Sequence, residues 1–191
     1  MDIDFRSSAW APADGVDPYT VTYTGFSVTA DSTGVDAGLL YQDAIDGLGV
    51  RGDENDEIDD YERIKITFNS HQLLDGVWIT DLFEANDGIN GEMGRVNLYD
   101  GGSLVDSYLF SGNDADQNNG ELYVDFGGQM VTSAFFFVVN DGDKWYKNVG
   151  ESGDNEFSIA GFNTAPVPEP ATMMLFGLGL LGLAGVARRK K

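Results

Sequence analysis

The chain has 191 residues, of which 32 are acidic and 11 basic, for a formal net charge of −21. A field of that sign repels nucleic acid and anionic lipid and attracts divalent cations, so a nucleic-acid role is excluded. Cysteine is absent, which removes disulfides and thiolate metal sites, while twelve Phe, eight Tyr and three Trp supply the material of a folded core.

The amino terminus, Met1-Asp2-Ile3-Asp4, is acidic and has neither a basic region nor an apolar run, as an export leader would. If the chain is exported, the true start is expected upstream. From there to residue 163 the sequence reads as one all-β domain of short strands separated by Gly, Asp and Asn turns, with no long amphipathic helix. Apolar residues alternate at Tyr19, Val21 and Tyr23, then change parity to Phe26 and Val28 across Gly25, which suggests a bulge. Residues 35–60 form the longest irregular stretch. Ile64, Ile66 and Phe68 alternate with Arg63, Lys65 and Thr67, as a half-buried strand does. Strands are then expected at residues 77–83, 95–99 and 103–110, the last two joined by an Asp100-Gly101-Gly102 turn. Leu122, Val124 and Phe126 alternate with Tyr123 and Asp125. Residues 135–139 are continuously apolar, as expected of a central strand buried on both faces, and residues 157–162 close the set. Eight or nine strands at intervals of roughly ten residues favour an antiparallel β-sandwich or jelly roll.

Within that domain the acidic loop Asp53-Glu54-Asn55-Asp56-Glu57, continued by Asp59, concentrates the oxygen ligands that Ca²⁺ takes; it reads either as a Ca²⁺ site through Asp53, Asp56, Glu57 and Asp59 or as a solvated turn. A second stretch, with Asp114, Asp116 and Asn118 and with Asp125 eleven positions after Asp114, imitates the spacing of a helix-flanked Ca²⁺ loop, but its flanks read as strands and a polar hairpin loop would need the same residues. His71 is the single histidine and reads as an inert turn residue between two strands. No nucleophile elbow accompanies it, so no catalytic residue is assigned. Two carboxylates at glycosidase spacing would have to be found in space, which leaves a polysaccharide-processing enzyme as the third reading. Trp78 reads as core, whereas Trp145 and Tyr146 are read as an exposed aromatic platform for sugar stacking or as a strand-edge cap over the core.

Residues 164–170 are a linker carrying Pro168-Glu169-Pro170, an extended and protease-accessible motif. Residues 171–187 are uncharged and apolar and would reach about 25 Å as a helix, at the short end of a membrane span. Arg188, Arg189, Lys190 and Lys191 follow, and by the positive-inside rule they hold the carboxyl end cytoplasmic, with the domain across the membrane. Gly177, Gly179 and Gly182 spell a dinucleotide-binding pattern, but no strand precedes it and the chain ends before a βαβ unit could follow.

The order Pro-Glu-Pro, apolar helix, basic cluster closely resembles the PEP-CTERM sorting signal of Gram-negative bacteria. The segment Gly47-Leu48-Gly49-Val50, the acidic loop, Glu57-Ile58-Asp59 and the closing strand at residues 155–162 are similar to the extracellular β-sandwich domains of such proteins. The resemblance implies Sec export, an inner-membrane-anchored precursor, processing by an exosortase, and delivery to the cell surface or extracellular exopolysaccharide matrix. It implies no catalytic residues, so the leading expectation is a non-enzymatic surface or matrix protein. A Ca²⁺-stabilised carbohydrate-binding module is second.

Overall fold

The computed structural model describes residues 2–13, 20–23, 25–32, 38–51, 57–59, 62–83, 92–116, 118–139 and 155–165. Among them are ten strands: β1 (Ile3–Asp4), β2 (Thr20–Tyr23), β3 (Phe26–Ser32), β4 (Leu39–Gln42), β5 (Leu48–Arg51), β6 (Glu62–Thr80), β7 (Met93–Asp100), β8 (Ser103–Ser111), β9 (Leu122–Val138) and β10 (Ser158–Thr164). Every pairing is antiparallel. The expected all-β antiparallel class is what the chain forms.

Two strands are far longer than the rest, and they organise the fold. β6 runs for 19 residues and β9 for 17. They pair twice, Arg63–Thr67 against Phe137–Ser133 and Gln72–Ile79 against Val131–Leu122, and at the break residues 68–71 of β6 face a single β9 residue, Thr132. A second irregularity sets Asp75 against residues 126–128, where Gly127 (φ 63°) and Gly128 (φ 77°) take the left-handed backbone that only glycine adopts cheaply. These breaks divide the ladder into two half-sheets. The first half of β6 is flanked by β3 and by the end of β9, which leads to β7 and β8; the second half is flanked by β10, which leads to β5 and β4, and by the start of β9.

The halves fold face to face over one core. Phe26 of β3 and Phe162 of β10 belong to different halves and are not hydrogen-bonded neighbours, yet their ring centroids lie 5.6 Å apart, edge to face. Phe68 meets Phe162 at 5.7 Å, Phe110 meets Phe157 at 5.0 Å, and the Tyr108 hydroxyl oxygen of β8 lies 3.0 Å from the Phe126 carbonyl oxygen of β9. Ile64, Ile66, Val96, Leu98, Val77 and Ile79 line this interior with 0–1% exposure, so the alternation read in the sequence is the alternation the sheet uses. The arrangement is that of a β-sandwich whose two layers share β6 and β9.

Several readings of individual segments change. Gly25 (φ 98°) is not a bulge within one strand: β2 and β3 pair with Tyr23 opposite Phe26, so the parity change marks a hairpin turn. Tyr19 lies outside the described residues. The stretch from 35 to 60 contains β4 and β5, whose connection is closed by Asp43 Oδ1 accepting the amides of Ile45 and Asp46 at 2.6 and 2.7 Å. Gly47 (φ 111°) ends that loop so close to β10 that a Cβ would meet the Ile159 carbonyl oxygen and lie 2.8 Å from Ala160 Cα. The segments at 64–68 and 77–80 are one bent strand rather than two. Residues 135–139 are central but not buried on both faces. Phe136 and Val138 enter the core, whereas Phe135 and Phe137 are half-buried on the outer face, where Tyr99 packs edge-on to Phe135 at 5.2 Å and Lys65 Nζ lies 4.9 Å from its centroid.

The amino-terminal segment is integral to the domain. Ile3 and Asp4 pair with Phe162 and Gly161, Phe5 is fully buried, and Trp10, in a 3-10 helix at Ser8–Ala13, packs on Phe5 and Phe26 at 4.9 and 5.7 Å. Asp2 accepts the Thr164 amide at 2.7 Å and its hydroxyl at 3.0 Å; the amide bond is the main reason its carboxyl titrates below the usual aspartate range. β8 is an edge strand and exposes Leu104 (56%), Val105 (43%) and Leu109 (50%). At its centre Asp106 accepts the Ser107 amide at 2.8 Å and the Tyr108 hydroxyl at 2.9 Å, placing a charge where another strand would add.

Candidate functional site

Of the expected Ca²⁺ loop, Asp53 and Asp56 lie outside the described residues. Glu57 and Asp59 flank Ile58, which is fully buried and bridges Phe157 next to β10. The Val50 amide donates to the Glu57 carbonyl at 2.8 Å, and Asp59 and Glu62 bond reciprocally, amide to carboxylate at 3.3 Å and amide to carbonyl at 3.2 Å. The described end of this loop is therefore built into the sheet by its backbone.

The second candidate loop is a compact polar connection between β8 and β9. Asp116 Oδ1 accepts the Asn118 amide at 3.0 Å and its side-chain nitrogen at 2.8 Å, contacts that hold the Asp116 carboxyl below its usual range. Asn119 Oδ1 accepts the Glu121 amide at 3.2 Å, and Gly120 (φ 63°) makes the turn. Asp114 sits in a single turn of 3-10 helix. From Glu121 the backbone is extended, which carries Asp125 about 13 Å along the strand, and there Asp125 accepts the Gly127 amide at 2.8 Å. The helix-flanked spacing of Asp114, Asp116, Asn118 and Asp125 is thus laid out along a hairpin. Among the described residues no group of three or more His, Asp or Glu side chains is arranged to hold a metal ion.

His71 is on the β6 bend rather than in a turn between strands. It is 63% exposed and its Nε2 lies 2.9 Å from Asp100 Oδ1, next to the β7–β8 turn whose Gly101 and Gly102 have φ of 55° and 85°. The proposed platform at Trp145 and Tyr146 lies outside the described residues.

An aromatic pair does stand on the outer face of the second half-sheet. Trp78 is half-buried on the side opposite Val77 and Ile79, so it is not a core residue as its strand position suggested. It pairs with Tyr123 of β9 on one side and Gly161 of β10 on the other. The two rings are 5.0 Å apart and inclined by 44°. Tyr123 lies over Gly76: a Cβ there would stand 2.5 Å from the ring carbon bearing the hydroxyl. That hydroxyl donates to Asp75 at 3.3 Å and receives the Asn163 side chain. Burial, together with the charges of Asp75 and Asp125, raises the Tyr123 hydroxyl above the usual tyrosine range. The sequence signal for this pair was the glycine at two of the strand positions beside the aromatics, visible only once the register is known.

The fold and its surfaces define an acidic, all-β domain whose last strand ends at Thr164, with the Ala165 amide still bonded to Leu73 at 2.9 Å. Immediately after it, residues 166–191 match the family model described as the PEP-CTERM protein-sorting motif. The chain carries that motif, which marks a protein sorted and processed by an exosortase. No curated protein and no solved structure matches the chain. Residues 166–191 lie outside the described residues, as do Pro168, Glu169, Pro170 and the basic cluster; among the described residues no helix is long and apolar enough to cross a membrane.

Proposed function

We propose that the protein is a non-enzymatic component of the surface or exopolysaccharide matrix of a Gram-negative bacterium. On this reading it leaves the cytoplasm by Sec export and is held in the inner membrane by the apolar segment at 171–187. An exosortase then cuts near Pro168-Glu169-Pro170 and releases the acidic β-domain. The observation that carries the reading is the sorting motif at residues 166–191, which begins two positions after the last strand of the fold ends. A cut in the linker would therefore free the domain without removing a strand. The non-enzymatic part rests on the composition, with no cysteine, one histidine and no nucleophile elbow.

Expression in matched hosts with and without an exosortase tests it. In the competent host the domain should be recovered outside the cell, and in the deficient host the full chain should fractionate with the inner membrane. Equal release from both hosts would refute exosortase processing.

A further inference from the structure

Trp78 and Tyr123 occupy solvent-side positions where a two-layer sheet has no need of large rings. The positions directly beside the rings include two glycines, Gly161 opposite Trp78 and Gly76 beneath Tyr123. The glycines leave a shallow surface from which two canted aromatic faces emerge. Around them stand oxygen acceptors. Asp75 contacts the Tyr123 hydroxyl, Asp125 pairs with Gly76 and is exposed, and Asn163 faces Gly76 from the other side. The Asn163 Oδ1 is itself buried and has no hydrogen-bond partner among the described residues, so the acceptors that face solvent are the carboxylates.

We propose that this face is a binding site for a neutral polysaccharide, with the C–H face of a pyranose ring stacked on Trp78 and Tyr123 and its hydroxyls donating to Asp75 and Asp125. An aromatic face is electron-rich and attracts the weakly positive C–H bonds of a sugar, while carboxylates accept hydroxyl hydrogen bonds strongly because they are charged. The occupant is neutral because the acidic rim and the net charge of −21 would repel a uronate or sulfated polymer. It is a chain rather than a single sugar because an open sheet face buries little of one residue and gains by contacting several. Rings lying over cross-strand glycines also protect a ladder, and a purely protective role would alter stability alone. This inference adds a molecular activity to the matrix reading, and the two fail separately, one in a binding assay and the other in cell fractionation.

The test uses the full chain in a non-glycosidic detergent, with laminarin, dextran and mixed-linkage β-glucan as neutral probes and alginate as the anionic one. Affinity electrophoresis and tryptophan fluorescence titration report binding, and urea denaturation of each variant reports folding. At least one neutral polymer should retard the protein and perturb its emission, with alginate inert. Trp78→Ala and Asp125→Ala should each weaken binding, the tryptophan variant about 10-fold or more. Trp78→Phe, which keeps a ring, should retain most of it, and Leu109→Ser on the other outer face should change nothing. Failure of every neutral polymer to bind, binding of alginate alone, or undiminished binding by folded Trp78→Ala and Asp125→Ala would overturn the proposal.

Discussion

Changing Phe26 and Phe162 to leucine, singly and together, measures whether the two half-sheets close on each other. The rings come from strands that never hydrogen-bond, are 5% and 3% exposed, and meet edge to face at 5.6 Å. Leucine keeps most of the apolar volume and deletes the ring geometry, so each single variant should lose about 1–1.5 kcal/mol. An edge-to-face pair contributes about 0.5–1.5 kcal/mol beyond its buried area, so the double variant should be less destabilised than the sum by that amount. Urea denaturation supplies the numbers, with the midpoint moving at constant slope. Phe135 with Phe162 is the control. Phe135 is on the outer face, and that pair should be additive within about 0.3–0.5 kcal/mol. Additivity of Phe26 with Phe162 would mean that the rings do not touch and that the sandwich description is wrong.

Gly94→Ala should cost about 1–3 kcal/mol, since the added Cβ would overlap the Phe110 ring and lie 2.7 Å from Phe157 Cε1, whereas Gly101→Ala meets no atom within 4 Å and should cost about 1 kcal/mol for its φ of 55°; thermal denaturation separates the two. Asp106→Ala removes the charge from the edge strand and should produce concentration-dependent association in analytical ultracentrifugation while the wild type stays unchanged. Burial first, and then Asp106, raise the Tyr108 hydroxyl above its ordinary value of 10.0. The folded state therefore holds that proton more tightly than the unfolded one, so this stability is complete below pH 10 and is lost as pH rises through the folded value. Tyr108→Phe should flatten the alkaline limb of a stability profile.

What the sequence revealed followed the physics of each segment. Ile64, Ile66 and Phe68 alternate because one face of their strand is core, and Gly101-Gly102 between Asp100 and Ser103 is a two-residue hairpin signal that needs no tertiary information. The run at 135–139 misled because its outer-face phenylalanines are covered by Tyr99 and Lys65, side chains from neighbouring strands that no single strand reveals. β6 read as two strands because the bend at 68–71 carries Asn69, Ser70 and His71, residues typical of a loop. Register also decided the candidate sites. Asp125 keeps Ca²⁺-loop spacing in the sequence, but extended backbone from Glu121 takes it down the strand, and the same pairing brings Tyr123 beside Trp78. The sorting tail was legible because three ordered chemical features at one terminus carry their meaning without a fold.

Intact-mass spectrometry of the domain recovered from the surface of its producing cell bears most directly on the central claim. Exosortase processing predicts a carboxyl end near Pro168-Glu169-Pro170 and no species retaining Arg188, Arg189, Lys190 and Lys191. Surface material that keeps the basic tail would show a membrane anchor in place of a processed sorting signal.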